Sequence, residues 1–307
     1  MSFEQRVNEY LTIRRALGYK LADHEAVLLD LVVWLNGQGT SVITADLALA
    51  WAQSRPTSSP IRQRQRLTIA RDFAQYLSAF DPRTEVPAAD LLPARYHRVA
   101  PYLYSSAEIS ALMAKARSLS PSLKAATYET LIGLLACTGL RFGEAAGLER
   151  DDVRLAESSL LVRFAKNGRS RQVPLHATTV AALAAYAARR DRLCPHPTAP
   201  SFFVSVRGGR VAPSSAQAVF ATLRHLTGLD QRSRGRPPRV HDLRHSFVVQ
   251  SMLGWYRDGE DVQAMLPLLS TWMGHVDPKS SYWYQQASPE LLALAARRLE
   301  AGPRCEP

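Results

Sequence analysis

Prolines crowd one stretch in the first third of the chain, and they constrain the fold more than any other feature. Between Asp81 and Pro101 they stand at positions 82, 87, 93 and 101. Proline lacks a backbone N–H and fixes φ, so this density opposes helix and strand and favours an extended segment. We therefore predict a linker at residues 88–103 between an N-terminal domain, residues 1–87, and a C-terminal domain, residues 104–307. A chain of 307 residues that is 46% hydrophobic can bury a core in each.

The N-terminal domain has the apolar periodicity of a helical bundle. Spacing, caps and stop glycines predict four helices, at residues 2–17, 24–36, 44–53 and 61–80. The fourth helix carries three closely spaced arginines, Arg62, Arg64 and Arg66. Helical spacing spreads them over more than one side, so they either contact a DNA backbone or belong to an ordinary solvated face.

The C-terminal domain has the pattern of a mainly helical body with one β-hairpin. Periodicity predicts helices at residues 106–119, 122–137, 176–190, 214–226 and 240–252. Two short β-prone segments, residues 159–164 and 169–175, are joined by Lys166-Asn167-Gly168. Asn-Gly between such segments is a strong hairpin signal.

The net charge of +11 is concentrated in the second part of the chain. Residues 1–100 carry 12 Lys and Arg against 10 Asp and Glu, whereas residues 101–307 carry 26 against 17. A surplus of this size favours a polyanion, and without a basic amphipathic tail nucleic acid is a better candidate than a membrane surface. Only five of the 38 basic residues are lysine, so arginine, which can bind phosphate through two N–H groups, carries most of the charge.

Two basic segments of the C-terminal domain are predicted to contact DNA phosphates. The hairpin carries Arg163, Arg169 and Arg171 with no acid among them. A loop punctuated by Gly and Pro precedes residue 240 and carries Arg232, Arg234, Arg236 and Arg239. A purely solvated hairpin would not need so many cations, which favours a phosphate-facing surface.

The sequence also indicates the cellular compartment in which the protein is expected. The longest apolar run, near residues 131–137, is far shorter than the roughly twenty residues that span a bilayer. The N-terminus lacks a signal-peptide pattern, and the three cysteines are scattered. We therefore expect a cytoplasmic protein without a disulfide framework and without a membrane partner.

Residues suited to phosphate chemistry concentrate between Val240 and Tyr284. If the segment after Val240 is helical, His241 and Arg244 stand three apart and share one face. His275 and Tyr284 follow within the same stretch. Cations, imidazoles and phenols together suit an attack on a phosphate group.

Arg141 is a further candidate for phosphate binding, and the histidines could alternatively bind zinc. Gly139 can end a helix, which would hold Arg141 in a turn beside the next helix, ready for an anion. His241 and His245 stand four apart, a spacing that zinc ligands can have, but no Glu follows the first and the cysteines are isolated. We predict no metal site.

Taken in order, these residues resemble the motifs of the tyrosine recombinase (phage-type integrase) family, and most resemble those of transposon-borne integrases. The motifs are Thr138-Gly139-Leu140-Arg141 with Glu144, the Lys166 hairpin ending in Val173-Pro174-Leu175, His241-Asp242-Leu243-Arg244-His245, Gly274-His275, and Tyr284 nine residues later. Each motif alone is weak, but five of them in this order are specific.

The resemblance implies a mostly α fold. It has a helical core-binding (SAM-like) domain and an α-rich catalytic domain with a small antiparallel β-sheet, which close as a C-shaped DNA clamp. The implied function is site-specific DNA recombination or integration through a 3′-phosphotyrosine, without ATP, metal or another cofactor, for integration, excision or transposition of a mobile element. The implied partner is a double-stranded recombination site, where a free monomer would form dimers or tetramers through the C-terminal helix that begins near Ser288.

The resemblance also implies roles for individual residues. Non-bridging oxygens of the scissile phosphate would be held by Arg141, Arg244 and His241, with Glu144 in support. Lys166 would protonate the leaving 5′ oxygen, His275 would support the phosphate or the phenol, and Tyr284 would be the nucleophile. The sequence departs from the family pattern in a second tyrosine, Tyr282, and in a longer span before His275 that Pro267 interrupts.

Two other classes of function remain open at this point. A metal-dependent DDE-type nuclease or transposase would use clustered carboxylates, for which Glu144, Asp151 and Asp152 are the candidates. A non-catalytic regulator on the same scaffold would bind DNA without becoming covalently attached to it. Within the recombinase class of chemistry, a relaxing topoisomerase differs by not exchanging two duplexes.

Overall fold

A computed structural model describes residues 2–19, 21–55, 57–92, 100–163, 170–232, 236–274 and 289–300. The chain divides into two compact units, Met1–Val99 and Ala100–Pro307, called here the N-terminal and C-terminal units. Residues 93–99 lie outside the described ones. The exact bounds of the linker at 88–103 therefore stay a prediction.

The N-terminal unit contains the four predicted helices. They are α1 Phe3–Ala16, α2 Ala22–Gly37, α3 Ala45–Gln53 and α4 Pro60–Leu77. Hydroxyls of Ser2, Thr44 and Ser59 cap α1, α3 and α4 by accepting a backbone N–H from the first turn. Leu11, Trp51 and Phe73 are buried side chains of the core that the four helices share.

The C-terminal unit is mostly helical. Its helices in the described ranges are α5 Ser106–Arg117, α6 Ser122–Thr138, α7 Phe142–Gly147, α8 Ala177–Leu193, α9 Pro213–Leu226, α10 Leu229–Arg232, α11 Asp242–Asp258, α12 Val262–Met273 and α13 Pro289–Glu300. Buried residues line α6 on all sides, including Leu123, Leu131 and Leu135, as expected for a helix at the centre of a core. No helix in these ranges has both the length and the apolar character needed to cross a bilayer.

A small antiparallel sheet packs on this helical body. Its strands are β1 Val153–Arg154, β2 Ser159–Val162 and β3 Arg171–Pro174, in that spatial order. Leu160 lies opposite Val173, both fully buried, and Val162 lies opposite Arg171. The hairpin predicted from Asn-Gly is confirmed as a β2–β3 pair, although its tip, residues 164–169, lies outside the described residues. Strand β1 is too short to be predicted from periodicity.

A second core of the C-terminal unit joins its last helices. Met252 of α11, Leu266 of α12 and Leu291 of α13 are buried together in it. Pro267 lies inside α12, which is nevertheless continuous from its N-cap, Asp261, to Met273. The long span before residue 275 therefore contains one helix.

Candidate active site

The turn between α6 and α7 places Arg141 in the site. Gly139 ends α6 in the left-handed conformation with φ 63°. A Cβ at this position would collide with the Phe247 ring, so the turn requires glycine for both conformation and space. Arg141 follows at the N-cap of α7, where its backbone N–H donates to Glu144 Oε2 at 3.0 Å and its Nη1 donates to Glu144 Oε1 at 2.8 Å. Its side chain remains 26% exposed.

Arg244 lies in the first turns of α11 and is 2% exposed. Its Nη1 donates to the carbonyl of Gly139 and its Nη2 to the carbonyl of Met273, each at 2.7 Å. This guanidinium therefore joins the end of α6 to the end of α12. A buried cation needs such partners, because an unsatisfied charge in the interior is costly.

Arg171 at the start of β3 also reaches the end of α12. Its Nε donates to the Trp272 carbonyl at 2.7 Å. Its Nη1 and Nη2 donate to Glu144 Oε1 and Oε2 at 3.1 and 2.9 Å. The side chain is 11% exposed, so it faces the interior and not the solvent.

Three arginines thus bind three consecutive carbonyls at the end of α12. Arg171 binds that of Trp272, Arg244 that of Met273, and Arg141 that of Gly274 at 3.4 Å. The last carbonyls of a helix lack intrahelical partners and carry partial negative charge, so cations stabilise them. We call this arrangement the α12 clasp. It fixes the chain immediately before residue 275.

Glu144 is an acid that pairs with two arginines of the clasp, Arg141 and Arg171. Burial alone would raise the pKa of its carboxyl, but the hydrogen bonds and charges of Arg171 and Arg141 outweigh burial and lower it from 4.5 to about 2. Glu144 is therefore ionised at neutral pH. It offsets one of the three positive charges.

His241 stands at the N-cap of α11 beside these cations. Its ring packs edge-on against the His245 ring, with centroids 4.9 Å apart. The side chain keeps an exposed surface, yet the atoms packed around it lower its pKa, first by desolvation and then by the positive charge of Arg244. The imidazole is accordingly neutral at pH 7, with one nitrogen able to donate and one able to accept.

The start of α11 is held by Asp242, which also binds Arg236. Asp242 is 1% exposed and accepts hydrogen bonds from the backbone N–H of Arg239 at 2.8 Å and from Arg236 Nη2 at 3.0 Å. Arg236 was predicted to contact DNA; its side chain is 25% exposed while it pairs with this buried carboxylate, and the DNA contact stays a prediction. The Arg239 side chain is exposed and stays a candidate for DNA contact.

Two more residues that were predicted to contact DNA have partners inside the protein. Arg66 is 5% exposed, lies 4.1 Å over the Trp51 ring and bonds to the Trp51 carbonyl at 3.0 Å and Asp30 at 3.1 Å. Arg171 belongs to the α12 clasp. Positive charge in a sequence does not reveal which arginines a fold uses internally.

The remaining predicted contacts divide into exposed and undescribed residues. Arg62 and Arg64 are exposed on α4, and Arg163 is 45% exposed while paired with Asp152. These three stay predictions. Outside the described residues lie Lys166, Arg169, Arg234, His275, Tyr282 and Tyr284, together with the side chain of Arg232.

The carboxylates of the rival metal-dependent mechanism are not grouped. Glu144 binds two arginines, and Asp152 accepts from the Glu149 N–H at 3.0 Å and pairs with Arg163. Asp151 is exposed. Across the part of the chain that the structure describes, no three His, Cys, Asp or Glu side chains come together as metal ligands would.

Sequence reasoning missed the acceptors of the clasp. They are backbone carbonyls, which every residue has, so composition and spacing carry no signal for them. The one usable sign is Gly274, which ends α12 with φ 63° and whose Cβ would lie 2.9 Å from Arg171 Nη1.

Comparison with known proteins identifies the family to which this geometry belongs. The profile of the phage integrase family matches residues 103–290, which include every element of the clasp. The chain belongs to this family. It is also 41% identical over 305 residues to y4rB of Sinorhizobium fredii strain NGR234, whose name describes an integrase/recombinase, with 97% of each chain covered.

Solved integrases share the fold of this tyrosine recombinase family member. One is the integrase of transposon Tn1549 in complex with transposon right end DNA, with a TM-score of 0.67 at 15% identity over 98% of this chain and 99% of that one. Another is a lambda integrase dimer bound to a COC′ core site, with a TM-score of 0.63 at 17% identity over 91% and 96%. At such identities the likeness concerns the fold, which is the predicted mostly helical one with a small antiparallel sheet.

Proposed function

We propose that this chain is a site-specific DNA recombinase that cleaves and rejoins DNA through a 3′-phosphotyrosine intermediate. The observation that carries the proposal is the α12 clasp, which gathers Arg141 and Arg244 beside His241 in a family member. These are the residue types that stabilise a phosphodiester whose negative charge grows in the transition state. A cytoplasmic location is part of this proposal.

The phosphate would be held by the exposed part of Arg141, by Arg244 and by His241. The positive charges of the two arginines are in place before DNA binds, because backbone carbonyls and Glu144 already fix their guanidiniums. Preorganised donors need no reorientation during the reaction, and losing one commonly costs about 10²–10³ in rate. Arginine supplies here the charge that divalent ions supply in other phosphoryl-transfer sites.

Tyr284 is the proposed nucleophile and Lys166 the proposed acid. The Tyr284 phenol gives up its proton, for which His275 is the proposed acceptor, and its oxygen forms a bond to phosphorus. The bond from phosphorus to the 5′ oxygen breaks, and Lys166 gives that oxygen a proton. Arginine cannot serve as this acid, since it does not release a proton near neutral pH, whereas the pKa of a lysine can be tuned. Attack by the 5′ hydroxyl of another strand reverses the step and frees the tyrosine. The phosphotyrosine conserves the bond energy, so ATP is not required.

A covalent-capture experiment tests this function without a known site. The protein is incubated with a pool of duplexes that carry random core sequences and a nick next to the varied phosphate. After denaturation, DNA attached to protein is recovered and sequenced, and a peptide map identifies the linked residue. We expect adducts at Tyr284, none with Tyr284→Phe, and adducts retained with the matched variant Tyr282→Phe.

The outcomes separate the competing functions. DNA binding without any adduct would support a regulator and overturn the proposal. Cleavage that stops in excess chelator would support the metal-dependent class. An adduct that persists in Tyr284→Phe, or that maps to Tyr282, would overturn the choice of nucleophile.

We further propose that the free protein is a monomer and that dimers or tetramers form on DNA through α13. Leu291 packs into the core with α11, and Glu290 pairs with Arg257 at 2.6 Å, so one side of α13 belongs to its own unit. Leu292 is 52% exposed on another side and is the residue we assign to a neighbouring protomer.

The assembly proposal is tested with Leu292→Glu on DNA carrying one or two binding sites. We expect one-site binding to persist and two-site complexes to dissociate, as measured by gel mobility. Leu193→Glu, at a 45% exposed leucine of α8, is the matched control and should leave both complexes intact. Two-site complexes of wild-type stability in Leu292→Glu would exclude this role for α13.

A further inference from the structure

Arg171 is the member of the α12 clasp that the proposed mechanism does not use. All three of its nitrogens bond to the protein, Nη1 and Nη2 to Glu144 and Nε to the Trp272 carbonyl, and the proposed mechanism assigns it no phosphate oxygen. An arginine is a costly residue to bury unless each N–H finds a partner. Its burial therefore indicates that Arg171 has a function within the site.

The charges of the site indicate what that role is. Glu144 is 8% exposed and both of its oxygens also accept from Arg141, so its negative charge lies directly against a proposed phosphate-binding cation. With Glu144 and Arg141 alone, the two charges would cancel. Arg171 adds a second cation to the same carboxylate, so the trio of Arg171, Glu144 and Arg141 keeps a net charge of +1.

The geometry of the contacts adds an orientational effect. Arg171 binds the carboxylate with two parallel N–H groups, which fixes the plane of the carboxylate. Arg141 bonds to the same two oxygens, one through Nη1 and one through its backbone N–H, so the carboxylate plane in turn fixes the Arg141 guanidinium. Lysine cannot form these two parallel hydrogen bonds, because its ammonium group is a single point charge on a flexible side chain.

We infer that Arg171 is a positioning residue for DNA cleavage: by binding Glu144 it keeps Arg141 oriented and its positive charge available to the scissile phosphate. The Trp272 carbonyl joins this unit to the end of α12. The inference rests on the proposed function, since it needs a cleavage reaction to act upon. It assigns Arg171 no contact with DNA.

The test is a double-substitution cycle in single-turnover cleavage, with DNA affinity measured in parallel. Arg171→Gln should lower the cleavage rate by about 10²-fold, as loss of a transition-state cation does, with little change in affinity. Arg171→Gln combined with Glu144→Gln should cleave faster than Arg171→Gln alone, because removing the acid returns the charge to Arg141. Arg154→Gln, which removes an exposed arginine of β1 from its pair with Glu157 in the following turn, is the matched control and should cleave like wild type.

A neutral substrate provides a second readout that a loss of packing would not move. A methylphosphonate at the scissile position removes one negative charge, so cleavage should depend less on the charge of Arg141. The rate defect of Arg171→Gln should therefore shrink on this substrate. Arg171→Lys, which keeps the charge without the two parallel hydrogen bonds, should cleave more slowly than wild type on both substrates to a similar extent.

The results distinguish failure of this inference from failure of the proposed function. If wild-type protein forms no adduct, the recombinase proposal itself fails. If wild type cleaves while the double variant is no faster than Arg171→Gln, the charge argument is overturned. If Arg171→Gln does not fold, Arg171→Lys decides the question, and a wild-type rate in that variant would overturn the positioning role.

Discussion

Glu144 couples its ionisation to folding, because both of its oxygens bind arginines in a buried place. Its folded-state pKa of about 2 lies below the ordinary value of 4.5. A carboxyl whose pKa is depressed on folding contributes stability that is present above the unfolded pKa and lost as pH falls through the folded pKa. The relevant window is therefore about pH 4.5 to 2.

The resulting prediction concerns Glu144→Gln. The free energy of unfolding of the wild type should fall between pH 5 and pH 2 by about 3 kcal/mol more than that of the variant, given 1.36 kcal/mol per pKa unit. Denaturant unfolding at several pH values measures this difference. Parallel pH curves for the two proteins would show that Glu144 is not ion-paired in solution as it is in the structure.

Gly139 is the glycine on which the Arg141 turn depends. Gly139→Ala should lower the free energy of unfolding by about 2–4 kcal/mol, since it combines a left-handed conformation with a collision against Phe247. Gly143→Ala, four residues later in α7, meets no atom within 4 Å and should leave stability unchanged or slightly raised. Chemical denaturation of both variants is the measurement, and equal effects would contradict the turn geometry.

At the scale of elements, α4 presents its arginines in two opposite ways. Arg66 faces the interior against Trp51, whereas Arg64 two residues earlier is exposed. A single helix therefore holds one arginine for stability and another that stays a candidate for DNA contact. The two functions can be separated experimentally.

We predict that Arg66→Ala lowers the stability of the N-terminal unit by about 2 kcal/mol, because it removes hydrogen bonds from a buried charged group. Arg64→Ala should change stability by less than about 0.5 kcal/mol but weaken DNA binding and reduce its salt slope by about one. Thermal unfolding and DNA titration at several salt concentrations test the pair. Reversed effects would mean that the helix faces have been misassigned.

Helices were the most predictable elements, and the reason is local. The four helices of the N-terminal unit follow from apolar spacing with caps such as Thr44 and Ser59, which act within one turn. Strand β1 could not be predicted, because two residues show no alternation. The internal contacts of Arg66 and Arg171 could not be predicted either. Their partners lie far away in the sequence, and only the fold brings them near.

At the scale of the whole molecule, charge determines how the protein meets DNA. The surplus of +11 belongs mainly to residues 101–307. The structure uses some of these cations internally, in the clasp and with Asp242, so fewer reach the surface than the sequence count suggests. Those that remain exposed, such as Arg239, still predict binding that is largely electrostatic.

We expect the logarithm of DNA affinity to fall linearly with the logarithm of salt concentration. Six or more phosphate contacts would reduce affinity by about 10³ or more between 50 and 200 mM salt, because each contact releases counterions. Titrations with unrelated duplex sequences measure this slope. Arg239→Ala should reduce it by about one, and an affinity insensitive to salt would contradict the electrostatic interpretation.

The sequence indicated candidate residues for the site but not the contacts that join them. Motif order singled out Arg141, Glu144 and Arg244, and the structure brings these three together. What joins them is a set of carbonyls at residues 272–274, and no sequence pattern marks a carbonyl as an acceptor. Which arginines meet these carbonyls is determined by the packing of elements that are distant in sequence.

The α12 clasp limits where the chain can change length. Three elements that are distant in sequence bind the same end of α12. They are the turn before α7, strand β3 and helix α11. One residue added or removed inside α12 would turn that end by about 100° and move all three carbonyls away from their arginines together. The turn at Gly259 and Asp261 lies upstream of this constraint. Insertions that relatives tolerate in this region should therefore fall before Asp261, and the helix itself should keep a constant length.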